Sequence, residues 1–294
     1  MPTDMESTES RGLPYDVLFE DASQDYTTPL PTPNDIESGE IIPDREWGAN
    51  VVKIQQRFIM KFGRDVRPIE ANNMLYVAKH TTIPVTRVYA IYQRKEDKKT
   101  ITYILMGYIP GKLQLPYSSH IFRSASAIET PWVLGTIHGG LPNIHLFMQD
   151  DIPGPLKSER EFVDAIIQSY AIQLGPRGAQ KVRYYQRVLP AIFNGDNSSV
   201  FSHNDLQRKN IMVLDDGSLV IIDWEFASWS PVYWEYLVAI FCCLAWTDDW
   251  HDYASGNVVL KNRFEMPDEV QQAIISLTSE LPLQSLWSTS EMHW

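Results

Sequence analysis

From residue 48 onward, apolar positions recur first in short runs and then at helical spacing. Val51, Val52 and Ile54 precede a polar turn at Gln55-Gln56-Arg57, and Phe58, Ile59, Met60 and Phe62 follow it, interrupted by Lys61. This pattern predicts a hairpin over 48–62. Ile69, Met74, Leu75 and Val77 share one helical face, so a helix is expected over 67–80, ended by Thr81 to Pro84. Two strand-like runs, Val85 to Gln93 and Thr100 to Ile109, flank the charged turn RKEDKK, and Pro110-Gly111 stops the second. The first half therefore reads strand, strand, helix, strand, strand.

The rest is uneven. Residues 1–40 are polar, acidic and Pro-rich and read as a flexible arm with one short helix near Pro33. Residues 112–158 are turn-rich, with Pro, Gly, Ser and His recurring and no long amphipathic period. Helices are expected over 159–174 and 180–193. A polar loop and two apolar runs follow, with Asp215-Asp216-Gly217-Ser218 as a hairpin turn between strands 211–214 and 219–222. Beyond Pro231 the chain reads as helical, including an apolar run from Tyr236 to Trp246 and a helix starting near Pro267. The expected class is α+β, in three segments: the arm (1–40), a sheet-rich part (41–111) and a mainly helical part (112–294).

Composition narrows the function. Hydrophobic residues are 44% of the 294, enough for a sizeable core, and the net charge is −12. That balance argues against nucleic acid, whose binders cluster Lys and Arg. The two cysteines, Cys242 and Cys243, are adjacent in an apolar run, so they read as core packing and fit a reducing compartment. The N-terminus lacks a basic and then apolar leader, and the Tyr236–Trp246 run falls short of the ~20 residues that span a bilayer, so a cytoplasmic protein without membrane association is expected. Nothing in the sequence points to an obligate protein partner.

The chemistry concentrates in FSHNDLQRKNIMVLDDGSLVIIDWEFA, residues 201–227. His203, Asp205 and Asn210 form H-x-D-x-x-x-x-N, and the hairpin after Asn210 folds the chain back so that Asp223 returns beside Asn210 and Asp205. Three oxygen-bearing side chains at one mouth suit phosphoryl transfer from a metal–nucleotide complex, which needs a positioned nucleophile and hard oxygen ligands for Mg²⁺. The bland alternative is that these Asp and Asn residues cap turns.

HNDLQRKN followed by IIDWEFA resembles the catalytic and metal-binding loops of the aminoglycoside phosphotransferase and choline kinase-like group, and DWEFASW and PVYWEYL look most like its fungal members. The resemblance spans roughly residues 48–111 and 159–260. It implies a two-lobed protein-kinase-like fold with a small antiparallel-sheet N-lobe and a mainly helical C-lobe, ATP (or GTP) and Mg²⁺ as cofactors, and a hydroxylated small molecule as acceptor. Asp205 would be the catalytic base or acceptor-positioning group, and Asn210 and Asp223 the metal ligands. His203 would buttress the loop, and Glu225 would touch metal or acceptor, or be structural. Lys61, oriented by Glu70, would hold the nucleotide phosphates; an edge-strand charge for Lys61 and a helix-end charge for Glu70 are the alternatives. ILMGYIPG resembles the hinge between lobes, where adenine would bond the backbone across Met106, Gly107, Tyr108 and Ile109.

Several features depart from the family pattern. No G-x-G-x-x-G precedes Lys61, only Gly48; Asn204 stands where glycine is common; Gly107 replaces an acidic hinge residue. The segment after the hinge is short and turn-rich where the family has a long helical stretch. That last departure motivates a second reading, a kinase-shaped binding protein of weak catalysis. His138 and His145 read as solvated loop histidines, and Trp224, Phe226, Trp229, Tyr233 and Trp234 as core or as a substrate platform. Asp248, Asp249, Asp252 and Glu265 read as a solvated face or as acceptor contacts.

Overall fold

The computed structural model describes residues 14–23, 29–42, 49–96, 99–112, 129–131, 133–144, 147, 152–193, 198–235 and 237–239. The chain divides into two units, residues 1–71 with 87–108 and residues 72–86 with 109–294.

The first unit is built on a six-stranded antiparallel sheet. Its strands are β1 (Asp16–Glu20), β2 (Glu40–Ile41), β3 (Asn50–Ile54), β4 (Phe58–Gly63), β5 (Val88–Glu96) and β6 (Lys99–Gly107), in the spatial order β1-β5-β6-β4-β3-β2. The expected 48–62 hairpin is β3–β4, with Ile54 opposite Phe58 and Asn50 opposite Phe62. Gln55 and Gln56 both take positive φ, 52° and 58°, as a tight hairpin turn of the primed hand requires. Val52, Ile54, Phe58 and Met60 are buried, and Met60 opposes Leu105 of β6. Helix α1 (Pro68–His80) starts in this unit, and its residues from Asn72 onward belong to the second.

The arm is a correction. Residues 16–20, expected to be loose, form the edge strand β1, paired antiparallel with β5. The short helix expected near Pro33 is a 3₁₀ turn, Pro33–Ser38, whose start is tied by Thr32: its hydroxyl accepts from Asn34 N–H, and its own N–H donates to Asp35 at 2.8 Å. β2 then closes the far edge. The connection that holds Gly48 lies outside the described residues.

The second unit carries α2 (Glu159–Leu174), α3 (Ala179–Ile192) and two small sheets. One sheet is β7 (Gly111–Lys112), β10 (Ile211–Leu214) and β11 (Leu219–Ile221); the other is β8 (Glu129–Pro131), β9 (Ser198–Ser202) and β12 (Ser228–Pro231). Both helices match the expected spans to within a residue. Ser158 caps α2 by accepting from Glu161 N–H, and Gly175, at φ 57°, ends it. The core gathers Phe162, Tyr170, Tyr185, Leu189 and Trp234, with Phe162 and Trp234 edge to face at 4.9 Å.

The boundary expected at 111/112 falls earlier. Lys112 and Gly111 pair with Val213 and Leu214 of β10, and after the sheet the chain re-enters the second unit at Ile109. Glycine is required at 111 because a β-carbon there would lie 2.7 Å from the Val213 carbonyl oxygen. The segment after α1 belongs here too, with Ile221 N–H donating to Pro84 C=O at 3.0 Å. Among the described residues no helix is long and apolar enough to cross a membrane. The helices expected over 236–246 and beyond 267 lie, wholly or largely, outside the described residues.

Candidate functional site

Strand β9 delivers the chain to His203 and Asp205, and the loop there is held from beneath. Glu235 Oε2 accepts from His203 N–H at 2.5 Å and from Asn204 N–H at 3.1 Å. Burial pushes the Glu235 carboxyl up, opposed by the pull of His203 and of those two amides. Asn204 adopts φ 62°, the left-handed region that glycine or asparagine tolerates, which explains how asparagine substitutes here for the family's common glycine. Its side chain is buried and donates to the Phe226 carbonyl at 2.9 Å and to Ser228 Oγ at 2.8 Å.

His203 ties two loops together. Its Nδ1 accepts from Asp205 N–H at 3.3 Å, so the ring proton belongs on Nε2, which then donates to the Ile222 carbonyl at 2.9 Å. The ring packs edge-on against Trp224, whose Nε1–H donates to the Ile221 carbonyl. The ring thus bonds to the backbone of both loops, at Asp205 and at Ile222.

Asp205 is 2% exposed. One carboxylate oxygen accepts from Gln207 Nε2; the other accepts from Asn210 Nδ2 at 2.8 Å and lies 3.5 Å from Lys209 Nζ. Asn210 Nδ2 also donates to the Asp205 carbonyl. The amide's donors are thus turned toward Asp205, while its Oδ1 is buried with no hydrogen-bond partner among the described residues. An orphaned hard oxygen is what a cation ligand looks like before its ion.

The hairpin does what the spacing requires. Ile211 opposes Ile221 in the β10–β11 pair, and Ile222 N–H donates to the Asn210 carbonyl at 2.9 Å, so Asp223 emerges beside Asn210. Asp223 takes φ 65°, ψ 58°, a left-handed conformation costing on the order of 1 kcal/mol for a residue with a β-carbon. A carboxylate oxygen of Asp223 and one of Glu225 lie within 4.8 Å of each other. These carboxylates and Asn210 Oδ1 are oxygen donors of the kind a hard cation takes.

In the first unit, Lys61 Nζ donates to Glu70 Oε1 at 2.9 Å, with side chains 16% and 2% exposed. β4 lies between β3 and β6, so Lys61 is not an edge-strand charge. At the hinge, Gly107 N–H donates to Arg87 C=O and Tyr108 N–H to Arg57 C=O, and Lys53 Nζ sits 3.9 Å from the Tyr108 ring centre. Two of the backbone donors expected for adenine are therefore engaged within the sheet unit. Met106 is buried, and Ile109 belongs to the second unit.

Trp224, Phe226, Trp229 and Trp234 are buried, which favours core over platform. His138 meets Asn72 Nδ2 at 3.1 Å. His145 and the acidic residues at 248, 249, 252 and 265 lie outside the described residues. Sequence reasoning missed Glu235 and Gln207. The signal for Glu235 was a carboxylate inside the apolar run WEYLVAI, where a charge needs partners.

Comparison with solved structures gives the fold. The apo form of a thermostable mutant of aminoglycoside phosphotransferase APH(4)-Ia aligns with TM-score 0.56 at 16% identity, covering 86% of this chain and 87% of that one. A thermostable mutant of the same enzyme in ternary complex with ADP and hygromycin B aligns with TM-score 0.59 at 15% identity, covering 87% and 92%. The fold is the two-lobed protein-kinase-like α+β fold. No curated protein matches the sequence. Residues 43–261 match the sequence profile of the Phosphotransferase enzyme family, APH, and with that profile spanning most of its length the chain belongs to this aminoglycoside phosphotransferase-like family.

Proposed function

We propose that the protein transfers the γ-phosphate of ATP to a hydroxyl of a small molecule. In this reaction the acceptor oxygen bonds to the γ-phosphorus, the bond from that phosphorus to the β–γ bridging oxygen breaks, and ADP leaves. Asp205 receives the hydroxyl proton, or aligns the hydroxyl for attack. The donors on its two carboxylate oxygens fix its direction while keeping it an acceptor. Asn210 and Asp223 would hold Mg²⁺, with Glu225 reaching it through water or facing the acceptor. The ion's contribution is neutralisation of phosphate charge. Lys61, held by Glu70, would take nucleotide phosphates. Adenine would use the hinge backbone groups of Met106 to Ile109 that the Gly107 and Tyr108 amides leave over.

The observation that carries this reading is the lock between Asp205 and Asn210, which leaves Asn210 Oδ1 an orphan acceptor in a chain of this family. ADP and hygromycin B in the similar enzyme support a nucleotide and a small hydroxylated acceptor as the substrate classes. The test is ATP turnover across a panel of hydroxylated metabolites and aminoglycosides, with mass spectrometry for phosphate gain. Asp205→Ala should abolish transfer and spare nucleotide binding, and Asp223→Ala should weaken both. A wild type that shows neither Mg²⁺-dependent ATP stabilisation nor turnover would leave the binding-protein reading in its place.

A further inference from the structure

Trp224–Phe226 is a single 3₁₀ turn, and a buried turn of that length satisfies few of its own carbonyls. Here Ala227 N–H closes back on the Trp224 carbonyl at 3.2 Å. Side-chain donors from three distant segments reach all four successive carbonyls. Asn73 Nδ2 donates to Trp224 C=O at 2.8 Å and to Ala227 C=O at 3.0 Å. Asn143 Nδ2 donates to Glu225 C=O. Asn204 Nδ2 donates to Phe226 C=O at 2.9 Å. All three asparagines and the turn belong to the second unit.

We propose that Asn73, Asn143 and Asn204 form a carbonyl clamp that sets the Trp224–Ala227 turn, and with it the Asp223 and Glu225 carboxylates, in cation-binding geometry in advance of the cation. The metal part of this inference rests on the phosphotransferase reading above. The three are positioning residues: they hold the turn's backbone carbonyls and touch none of the reacting atoms.

Chemistry explains the residue type. A carbonyl needs a donor, and an amide offers two donors on one nitrogen, so Asn73 can bridge the first and last carbonyls of the turn. Aspartate in its place would set acceptor against acceptor. Asn73 is also fully buried in the interior of α1, where asparagine is a poor helix former and an unpaired amide is expensive. Its two donor bonds offset that cost on the nitrogen, while Asn73 Oδ1 is buried without a hydrogen-bond partner among the described residues. With four carbonyls fixed, the backbone angles of 224–227 are fixed, and so are the directions in which the carboxylates leave the chain. Groups beyond the ligands that orient a metal site typically tune affinity by about 10–100-fold.

The test uses the full chain and the near-isosteric variants Asn73→Asp and Asn143→Asp. Hydrogen exchange across residues 222–230 is measured without metal. Mn²⁺ binding in the presence of ADP is followed by electron paramagnetic resonance, and ATP turnover is measured against Mg²⁺ concentration. The clamp predicts faster exchange in that segment, Mn²⁺ affinity weakened by about 10-fold or more, and a half-saturating Mg²⁺ that rises more than kcat at saturating Mg²⁺ falls. Wild-type exchange and wild-type Mn²⁺ affinity in both variants overturn it. If Asn73→Asp gives no cooperative melt, the half-buried Asn143 decides alone by the same criteria. If the wild type itself takes up no Mn²⁺ with ADP, the phosphotransferase reading fails. The exchange contrast then judges the clamp: acceleration sustains it as a device that sets the turn, and no change overturns it.

Discussion

Replacing Asn204 by glycine and, separately, by alanine divides its backbone role from its side-chain role. Either change removes three hydrogen bonds from a residue 1% exposed: the donations to Phe226 C=O and Ser228 Oγ, and the acceptance from Ser230 Oγ at 3.2 Å. At about 1 kcal/mol net for each bond, both variants should lose about 3 kcal/mol. They then part over φ 62°. Alanine has a β-carbon and no local polar group, so the left-handed conformation costs it about 1–2 kcal/mol. Glycine bears no such strain but gains unfolded-state freedom worth about 0.4–1 kcal/mol. Strain wins, and Asn204→Gly should be more stable than Asn204→Ala by about 0.5–1 kcal/mol. Urea unfolding followed by tryptophan fluorescence reads this out, since Trp224, Trp229 and Trp234 are buried in the same unit. The expected order of midpoints is wild type, then glycine, then alanine, at equal slopes. An alanine variant as stable as the glycine one refutes the backbone argument. A glycine variant as stable as the wild type refutes the claim that the amide contributes.

Two further outcomes follow from the site. Lys61→Met should lower kcat/KM for ATP by about 10²-fold or more, and Glu70→Gln, which leaves the lysine a neutral partner, by less; a variant that melts early yet keeps wild-type kcat/KM would make the pair purely structural. Glu235 gives a pH dependence with a definite sign. Burial raises its folded pKa above the ordinary 4.5 while His203, the two loop amides and the Asp205 charge act on it, so the native state holds a proton that the unfolded state has released. Its contribution is full below that ordinary value and is lost as pH rises toward the folded pKa. The stability of the wild type minus that of Glu235→Gln should therefore fall with rising pH across that window. Parallel stability profiles would refute the assignment.

Much of the fold was legible because its elements carry their own period. β3 and β4 alternate, α2 and α3 repeat at helical spacing, and the Asp-Gly turn fixes the β10–β11 register that returns Asp223 to Asn210. What escaped lacks that signature. β1 is an edge strand with a mostly exposed burial pattern, and only its pairing with β5 makes it a strand. β9 and β12 are serine-rich, and serine is not a strand signal. Yet Ser199, Ser228 and Ser230 are among the most buried residues, small enough to let the two strands pack closely.

The same division holds inside the site. Residues proposed to do the chemistry must be particular types at particular spacings, so Asp205, Asn210 and Asp223 leave a compact trace within nineteen positions (205 to 223). Residues that hold them need satisfy only a main-chain group. The carbonyls of 224–227 would accept a hydrogen bond whatever side chains they bear, so the acceptor side of the clamp leaves no sequence mark. The donor side comes from positions 73, 143 and 204; the first two read locally as an ordinary helix and an ordinary turn residue, and the third stands out only as an asparagine where the family commonly has glycine. What betrays Asn73 is the company it keeps. Glu70, Asn73, Met74 and Val77 follow the spacing of one helical face, and all four are buried. A polar residue on such a face must be paid for by partners; Glu70 was named from the family resemblance, as the helical carboxylate that would orient Lys61, and its burial on this face came only with the structure. An amide on the same face carries the same obligation, and in this chain its partner is the loop that carries the candidate metal ligand Asp223.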